Sequence, residues 1–170
     1  RKDTLELLDS VPSAVMFVGP HQWHANGHVL AAIETEESSN RHQNFNHFIV
    51  EKTDEIAKLL LSDCHFVNSY LSSCQIAFNA KQPATHEYLR HLQHLAHLVE
   101  PYACSAEKLH VEEGIADDVI PHQAELLDAN LVVIGCHEHR GIAASIKGHT
   151  IDYVLDNLTC DLLALQPGIH

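Results

Sequence analysis

Short apolar runs alternate with longer amphipathic stretches along most of this chain. Between the short runs, apolar residues recur every three or four positions, which is the spacing of one face of a helix. The run Leu131–Gly135 is apolar throughout, as is typical of a strand buried on both faces of a parallel sheet. Alternating β and α elements predict an α/β fold with a doubly wound parallel sheet. The predicted strands are residues 28–34, 64–71, 108–113, 131–135 and 160–167.

The helices are predicted from the amphipathic stretches between these strands. The polar residues 35–44 are predicted to be a loop. Pro121 lies inside the third predicted helix and is expected to distort it. The four predicted helices cover the apolar stripes at 45–60 and 88–102 and the segments 115–130 and 148–157.

The first twenty residues repeat the end of this pattern. Residues 4–20 can be laid over residues 151–167 without a gap, and Leu8, Asp9 and Pro20 then coincide with identical residues. Both segments have the pattern of a helix, a turn, a strand and a proline stop; chance similarity of two amphipathic segments is the alternative. The repeat predicts the last helix and strand of a preceding domain at 1–20, a linker at 21–27 and a domain at 28–170.

Composition narrows the classes of partner. Acidic residues outnumber basic ones by 23 to 10, and the formal net charge is −13 at pH 7. A nucleic-acid-binding face needs clustered Lys and Arg, so we expect no nucleic-acid partner. No apolar run reaches the roughly 20 residues of a membrane span. Five widely spread cysteines indicate a reduced, cytoplasmic protein, and protonation of the sixteen histidines would reverse the sign of the net charge.

Two parts of the chain resemble a known family. The continuous stretch from His110 to Pro167, which begins "HVEEGIADDVIPHQAELLDANLVVIG" and ends "LDNLTCDLLALQP", is similar to the second half of a universal stress protein domain. The opening "SAVMFVGPHQW" followed by "HVLAAIE" resembles the junction between the two domains of tandem E-type members. The resemblance implies a five-stranded parallel sheet of order 3-2-1-4-5, with ligands at the carboxyl ends of strands 1 and 4.

The family resemblance also implies a partner for the last strand, residues Asp161 to Gln166. Family members pair through this strand in homodimers or between tandem domains. The expected partner is therefore a second copy or the missing first domain. Within this chain, Ala14 to Val18 could form an extra antiparallel edge strand that covers the same edge.

Nucleotide-binding members of the family carry Gly-x2-Gly-x9-Gly-Ser/Thr after strand 4. By this resemblance Gly135 takes the first position and Gly148 the third, at a helix start where an anion is favoured. Glu138 stands at the second position, where the backbone approaches phosphate. His149 replaces the usual hydroxyl residue, and Thr150 follows it. Two like charges about 4 Å apart repel by about 1 kcal/mol in water and about 4 kcal/mol near a protein surface, so Glu138 should weaken ATP or AMP binding.

These residues lead to a functional hypothesis. Glu34 ends strand 1, where the family places an aspartate near the nucleoside, and it can still accept a hydrogen bond from a ribose or base. The loop keeps the spacing of the family motif, but two of the residues that would contact a nucleotide, Glu138 and His149, differ from it. We therefore predict a non-enzymatic stress-response domain that binds a small ligand or partner and whose nucleotide loop is degenerate. The alternatives are a functional ATP/AMP-binding switch and, ranked below it, a slow ATPase; no catalytic residue is assigned.

Several histidines and one cysteine were candidates for other chemistry. His91, His94 and His97 lie three residues apart on one helix, but a structural zinc site needs four ligands, so we interpret them as a solvated helix face. The His-Glu-His run at 137–139 favours adventitious nickel or zinc binding over a biological site. No metal site is therefore predicted. Cys136 is either a redox-sensing thiol of lowered pKa or a small residue that fits the turn.

Overall fold

A six-stranded sheet forms the centre of the computed structural model, which describes residues 8, 13–36, 39–72, 84–102, 104–136 and 153–167. Its order is β1-β6-β5-β2-β3-β4; β2 to β6 run parallel, and β1 is an antiparallel edge strand. Counted from β2, this is the predicted order 3-2-1-4-5 with the predicted extra strand, so the fold is confirmed. The strands are β1 (Val15–Phe17), β2 (His28–Ala32), β3 (Asp63–Tyr70), β4 (Leu109–Glu113), β5 (Ala129–Gly135) and β6 (Asp161–Leu165).

Helices cover both faces of the sheet. The long helices among the described residues are α1 (Asn40–Leu59), α2 (Ala84–Val99) and α3 (Ala116–Leu126), and 3-10 turns follow α2 at Glu100–Tyr102 and Ala106–Lys108. α1 and α2 pack on one face, and α3 packs on the other with the helical residues 153–157. The predicted start of that last helix, and most of the helix predicted before β1, lie outside the described residues. Within the described ranges, no helix has both the length and the apolar content to cross a membrane.

The apolar run of β5 explains this two-faced arrangement. Leu131 and Val133 belong to the core beneath α1 and α2, whereas Val132 and Ile134 belong to the core beneath α3. Successive side chains of a strand point to opposite faces, so a strand covered on both faces has to be apolar at every position. Complete burial of each such side chain contributes about 1.5–3 kcal/mol.

The predicted start of the first long helix and the predicted end of the third are wrong. The loop predicted for residues 35–44 ends early, because α1 already begins at Asn40. Ser39 caps this helix, accepting a hydrogen bond from the His42 N–H at 3.3 Å, which satisfies one of the free amides of the first turn. The third predicted helix is too long, since α3 ends at Leu126 and β5 begins at Ala129. Pro121 lies inside α3 as predicted.

β1 and β6 pair symmetrically. When residues 4–20 are laid over residues 151–167, Met16 coincides with Leu163, which is its own partner in the sheet, and the two flanking pairs exchange with each other. The two strands are therefore related by a local twofold axis, as at an interface between identical subunits. The register joins Val15 with Ala164, Met16 with Leu163 and Phe17 with Leu162.

Candidate functional site

The carboxyl ends of β2 and β5 meet at the point where the strand order reverses. β2 is followed along the chain by β3 on one side, and β5 by β6 on the other. Open α/β sheets bind ligands outside such a point. The candidate residues Glu34 and Gly135 both lie at this edge. The other candidates, Glu138, Gly148, His149 and Thr150, lie outside the described residues, and their roles stay predictions.

The chain around Glu34 is held by side chains from α1. The Asn46 Nδ2 group donates a hydrogen bond to the Glu34 carbonyl oxygen at 2.7 Å, and His42 Nε2 lies 3.2 Å from the same oxygen. A carbonyl only accepts, so this His42 nitrogen carries its proton. Both side chains are buried although they come from the polar start of α1. Their spacing of four residues after a strand was the signal that sequence reasoning missed.

The residue before Glu34 continues the sheet beyond β2. The Ile33 N–H donates to the Val67 carbonyl at 2.9 Å, and Asn68 Nδ2 donates to the Ile33 carbonyl at 2.8 Å. The backbone leading to Glu34 is thus fixed from both neighbouring elements, β3 and α1. Contacts within the protein are therefore sufficient to hold the backbone at Glu34.

A buried histidine secures the next residue, Thr35. His91 is 2% exposed, its ring stacks on Tyr70 with centroids 4.8 Å apart, and its Nδ1 lies 2.7 Å from Thr35 Oγ1. Arg90 Nη2 lies 3.3 Å from His91 Nε2 and can only donate, so Nδ1 carries the proton and donates to Thr35. Burial, with a smaller effect of Arg90, lowers the pKa of His91.

His91 therefore corrects the prediction of a solvated histidine face on this helix. His94 and His97 are exposed, as expected, but His91 points into the core. It flanks the apolar stripe of α2, which was visible in the sequence, and its partners lie in β3 and after β2, which was not. Among the residues that the structure describes, no three His, Cys, Asp or Glu side chains are arranged to hold a metal ion.

Gly135 is packed tightly against α1. A Cβ atom added to Gly135 would lie 2.6 Å from both the Phe45 ring and the Ile49 Cδ1 atom. The absence of a side chain at this position therefore lets α1 approach β5. The next residue, Cys136, donates its backbone N–H to the Leu165 carbonyl at 2.7 Å, so this amide is engaged by β6.

The described part of the carboxyl edge is acidic. Glu36 is exposed after β2, and Glu112 and Glu113 are exposed at the end of β4. Burial first, and then the carboxylates of Glu113 and Glu87, raise the pKa of Tyr70. A raised tyrosine pKa reports an environment that disfavours further negative charge.

A second group of histidines lies near the opposite edge of the sheet. His28 on β2, His65 on β3 and His110 on β4 form a chain in which His28 Nδ1 lies 3.1 Å from His65 Nε2, and His65 Nδ1 lies 3.1 Å from His110 Nε2. One nitrogen of each pair must carry the proton. Burial, and then the neighbouring His28 and His110, lower the pKa of His65 to about 4. This row of histidines could not be predicted from the sequence, because its contacts depend on the register of three strands.

The sequence matches one family of known proteins. The model of the universal stress protein family matches residues 65–166. Universal stress protein E of Escherichia coli is 31% identical over 168 residues, which cover 95% of this chain and 53% of that protein. The universal stress protein E homolog of Haemophilus influenzae is 27% identical over 170 residues. The chain spans about half the length of these curated relatives.

Solved structures agree in fold. A putative universal stress protein from Pseudomonas aeruginosa superposes with a TM-score of 0.79 at 29% identity, covering 98% of this chain and 57% of that one. A universal stress protein solved in complex with cAMP has a TM-score of 0.57 at 15% identity, which is a likeness of fold alone. Together with the family match and the sheet order, these findings show that the chain belongs to the universal stress protein family.

Proposed function

We propose that this chain is the second half of a tandem stress-response protein of the cytoplasm. In this proposal it acts without catalysis, and the loop after β5 is a degenerate form of a nucleotide-binding loop. The domain then works by binding a small ligand or a protein partner at the carboxyl edge of β2 and β5. The observation that carries this proposal is the packing of Gly135 against α1.

A glycine in a phosphate-binding loop normally gives a ligand room to approach the backbone. At Gly135 that room is filled by Phe45 and Ile49, so retention of this glycine has a packing cause that needs no nucleotide. The amide of Cys136 is likewise engaged by Leu165. The first glycine of the family motif therefore gives little support for nucleotide binding in this chain.

The charge of the edge supports the same proposal. Glu36, Glu112 and Glu113 are exposed there, and Glu138 follows β5 in the sequence at the position of the second motif glycine. These carboxylates add negative charge at this edge of the sheet, which disfavours a bound triphosphate because like charges repel. A ligand without strong negative charge, or a protein surface, suits this edge better.

The proposed partner is the domain that precedes residue 21 in the complete protein. The local twofold axis through Met16 and Leu163 supports this, because it is the pairing that two equivalent domains would make through their last strands. A homodimer through β6 would have to displace β1 first.

The test is a calorimetric titration with Mg-ATP near pH 7 on the full chain, on Glu138→Gly and on Glu138→Gln. We expect no binding by the parent up to millimolar ATP. The glycine variant should bind with a Kd at least about tenfold below that limit. The glutamine variant separates charge from bulk, because it removes the carboxylate and keeps the side chain. Micromolar binding by the parent would overturn the proposal.

The second candidate is a functional ATP/AMP switch. It is favoured by the retained spacing of Gly135, Glu138 and Gly148 and by the cAMP complex of a protein with the same fold. The same titration decides between the two, since only the switch predicts binding by the unaltered chain. ATP turnover that is lost on changing Glu138 would instead support the slow ATPase.

A further inference from the structure

The segment between β1 and β2 is tied to the amino edge of the sheet by a buried carboxylate. Asp161 is the first residue of β6 and is 4% exposed. One of its oxygens accepts the Gly19 N–H at 2.8 Å, and the other accepts the Trp23 indole N–H at 2.7 Å. His21 Nε2 lies 4.0 Å from the first oxygen. Both carboxylate oxygens thus face the segment.

A second buried side chain holds the same segment further along. Asn130, near the start of β5, accepts the His24 N–H through Oδ1 at 2.8 Å and donates through Nδ2 to the His24 carbonyl at 2.8 Å. The amide side chain therefore pairs with His24 as a neighbouring strand would. Gly27 makes this possible, because a Cβ atom added there would lie 2.1 Å from Asn130 Nδ2.

The two ties account for the burial of both polar side chains. A buried carboxylate is costly unless it is hydrogen-bonded. The partners that the structure gives to Asp161 within hydrogen-bond distance come from residues 19–23. When residues 4–20 are laid over 151–167, Asp161 falls on Ala14, which has no acceptor side chain. The tie is therefore made by one repeat only and is not part of the symmetric β1–β6 pairing.

We propose that Asp161 and Asn130 form a docking site for the chain's own residues 19–24, which we call the linker clamp. The clamp holds the segment after β1 in one conformation and so keeps β1 seated on β6. The orientation of β1 relative to the domain is then fixed, whereas a flexible linker of similar length would leave it variable. The clamp is independent of any ligand and of the origin of residues 1–20.

The test uses backbone amide hydrogen exchange on the full chain, comparing the parent with Asp161→Asn. Asparagine has the same shape but one acceptor fewer, so one of the two donors loses its partner. We expect exchange of residues 15–24 to accelerate on the order of ten- to hundredfold, while β3 and β5 keep their protection. Trp23 is the single tryptophan of the chain, and its emission should shift to longer wavelength.

The matched control is Asp128→Asn. Asp128 contacts the same segment, with Oδ2 3.4 Å from His24 Nε2, but both side chains are exposed. This variant should leave exchange of residues 15–24 unchanged. Unchanged exchange in Asp161→Asn, or loss of protection spread equally over the sheet, would overturn the clamp.

A second variant covers the case in which Asp161→Asn does not fold. Trp23→Phe removes one donor to Asp161 and keeps an aromatic ring at this position. Exchange of residues 19–23 should accelerate several-fold, with β3 and β5 unaffected. No change in this segment would contradict the proposal in the same way.

Discussion

The two edges of the sheet use buried polar groups differently. At the carboxyl edge, donors from Asn46 and His42 hold the backbone of Glu34, and the carboxylates of Glu36, Glu112 and Glu113 face solvent. At the amino edge, the carboxylate of Asp161 is buried, and three imidazoles form a chain across β2, β3 and β4. The carboxyl edge therefore uses buried amide and imidazole groups to hold the backbone, whereas the amino edge uses a buried carboxylate and a row of imidazoles. Changes at the two edges should have separable effects.

The largest expected effect is that of acid on the amino edge. The folded-state pKa of His65 is about 4, below the ordinary 6.5, so the unfolded chain binds the proton more readily. The contribution of neutral His65 is complete above pH 6.5 and is lost as the pH falls from 6.5 towards 4, by up to about 3 kcal/mol. Urea unfolding at pH 7, 6 and 5 measures this loss. His65→Gln, which can still donate and accept but does not titrate, should lose less stability; an equal loss in both would refute the assignment.

Next in size is Gly135→Ala at the carboxyl edge. The new methyl group would lie 2.6 Å from Phe45 and Ile49, so α1 has to shift or repack, at a cost of about 1–3 kcal/mol in the free energy of unfolding. Chemical denaturation at pH 7 gives the value. Phe45→Leu in the same chain should recover part of it, because a smaller side chain makes room. Additive losses in the double variant would show that the two residues do not share this space.

Gly27→Ala should have a smaller effect on global stability. The added methyl group displaces Asn130 from His24, but the exposed segment before β2 can detach without unfolding the domain. We expect the free energy of unfolding, measured in urea, to fall by about 1 kcal/mol or more, which is the contribution of the lost hydrogen bonds. Proteolysis between β1 and β2 should become faster. Unaltered proteolysis would mean that Asn130 does not order the segment.

The smallest effect is expected for the exposed ion pair at the amino edge. Lys108 and Asp63 form a hydrogen-bonded ion pair in which both side chains remain partly exposed. Lys108→Met should change the free energy of unfolding by less than about 1 kcal/mol, because surface pairs gain little over hydration. A loss as large as that of Gly135→Ala would show that the amino edge depends on surface charge as well as on buried groups.

The fold could be predicted because its signals are local or repetitive. The continuous apolar run of β5 indicates a strand buried on both faces, and the repeat of residues 4–20 at 151–167 indicates β1 and its partner. The burial of His91 was missed because it depends on contacts with Tyr70 and Thr35 in other elements. The start of α1 was missed because its first turn is polar, although Ser39 is a favourable N-cap. Asp161 and Asn130 lie more than 100 positions from the residues they hold. No periodicity encodes such a contact.

The symmetric pairing of β1 with β6 does not depend on the concentration of the protein. A strand of three residues pairs too weakly to hold two separate chains together, yet here it occupies the edge of β6. Because a short segment tethers it to the same chain, β1 meets β6 at an effective concentration of about millimolar, whatever the amount of protein in the cell. Covalent continuity thereby replaces the mass action on which an equivalent pair of free subunits would depend, and the sheet edge stays closed to foreign strands even when the protein is scarce.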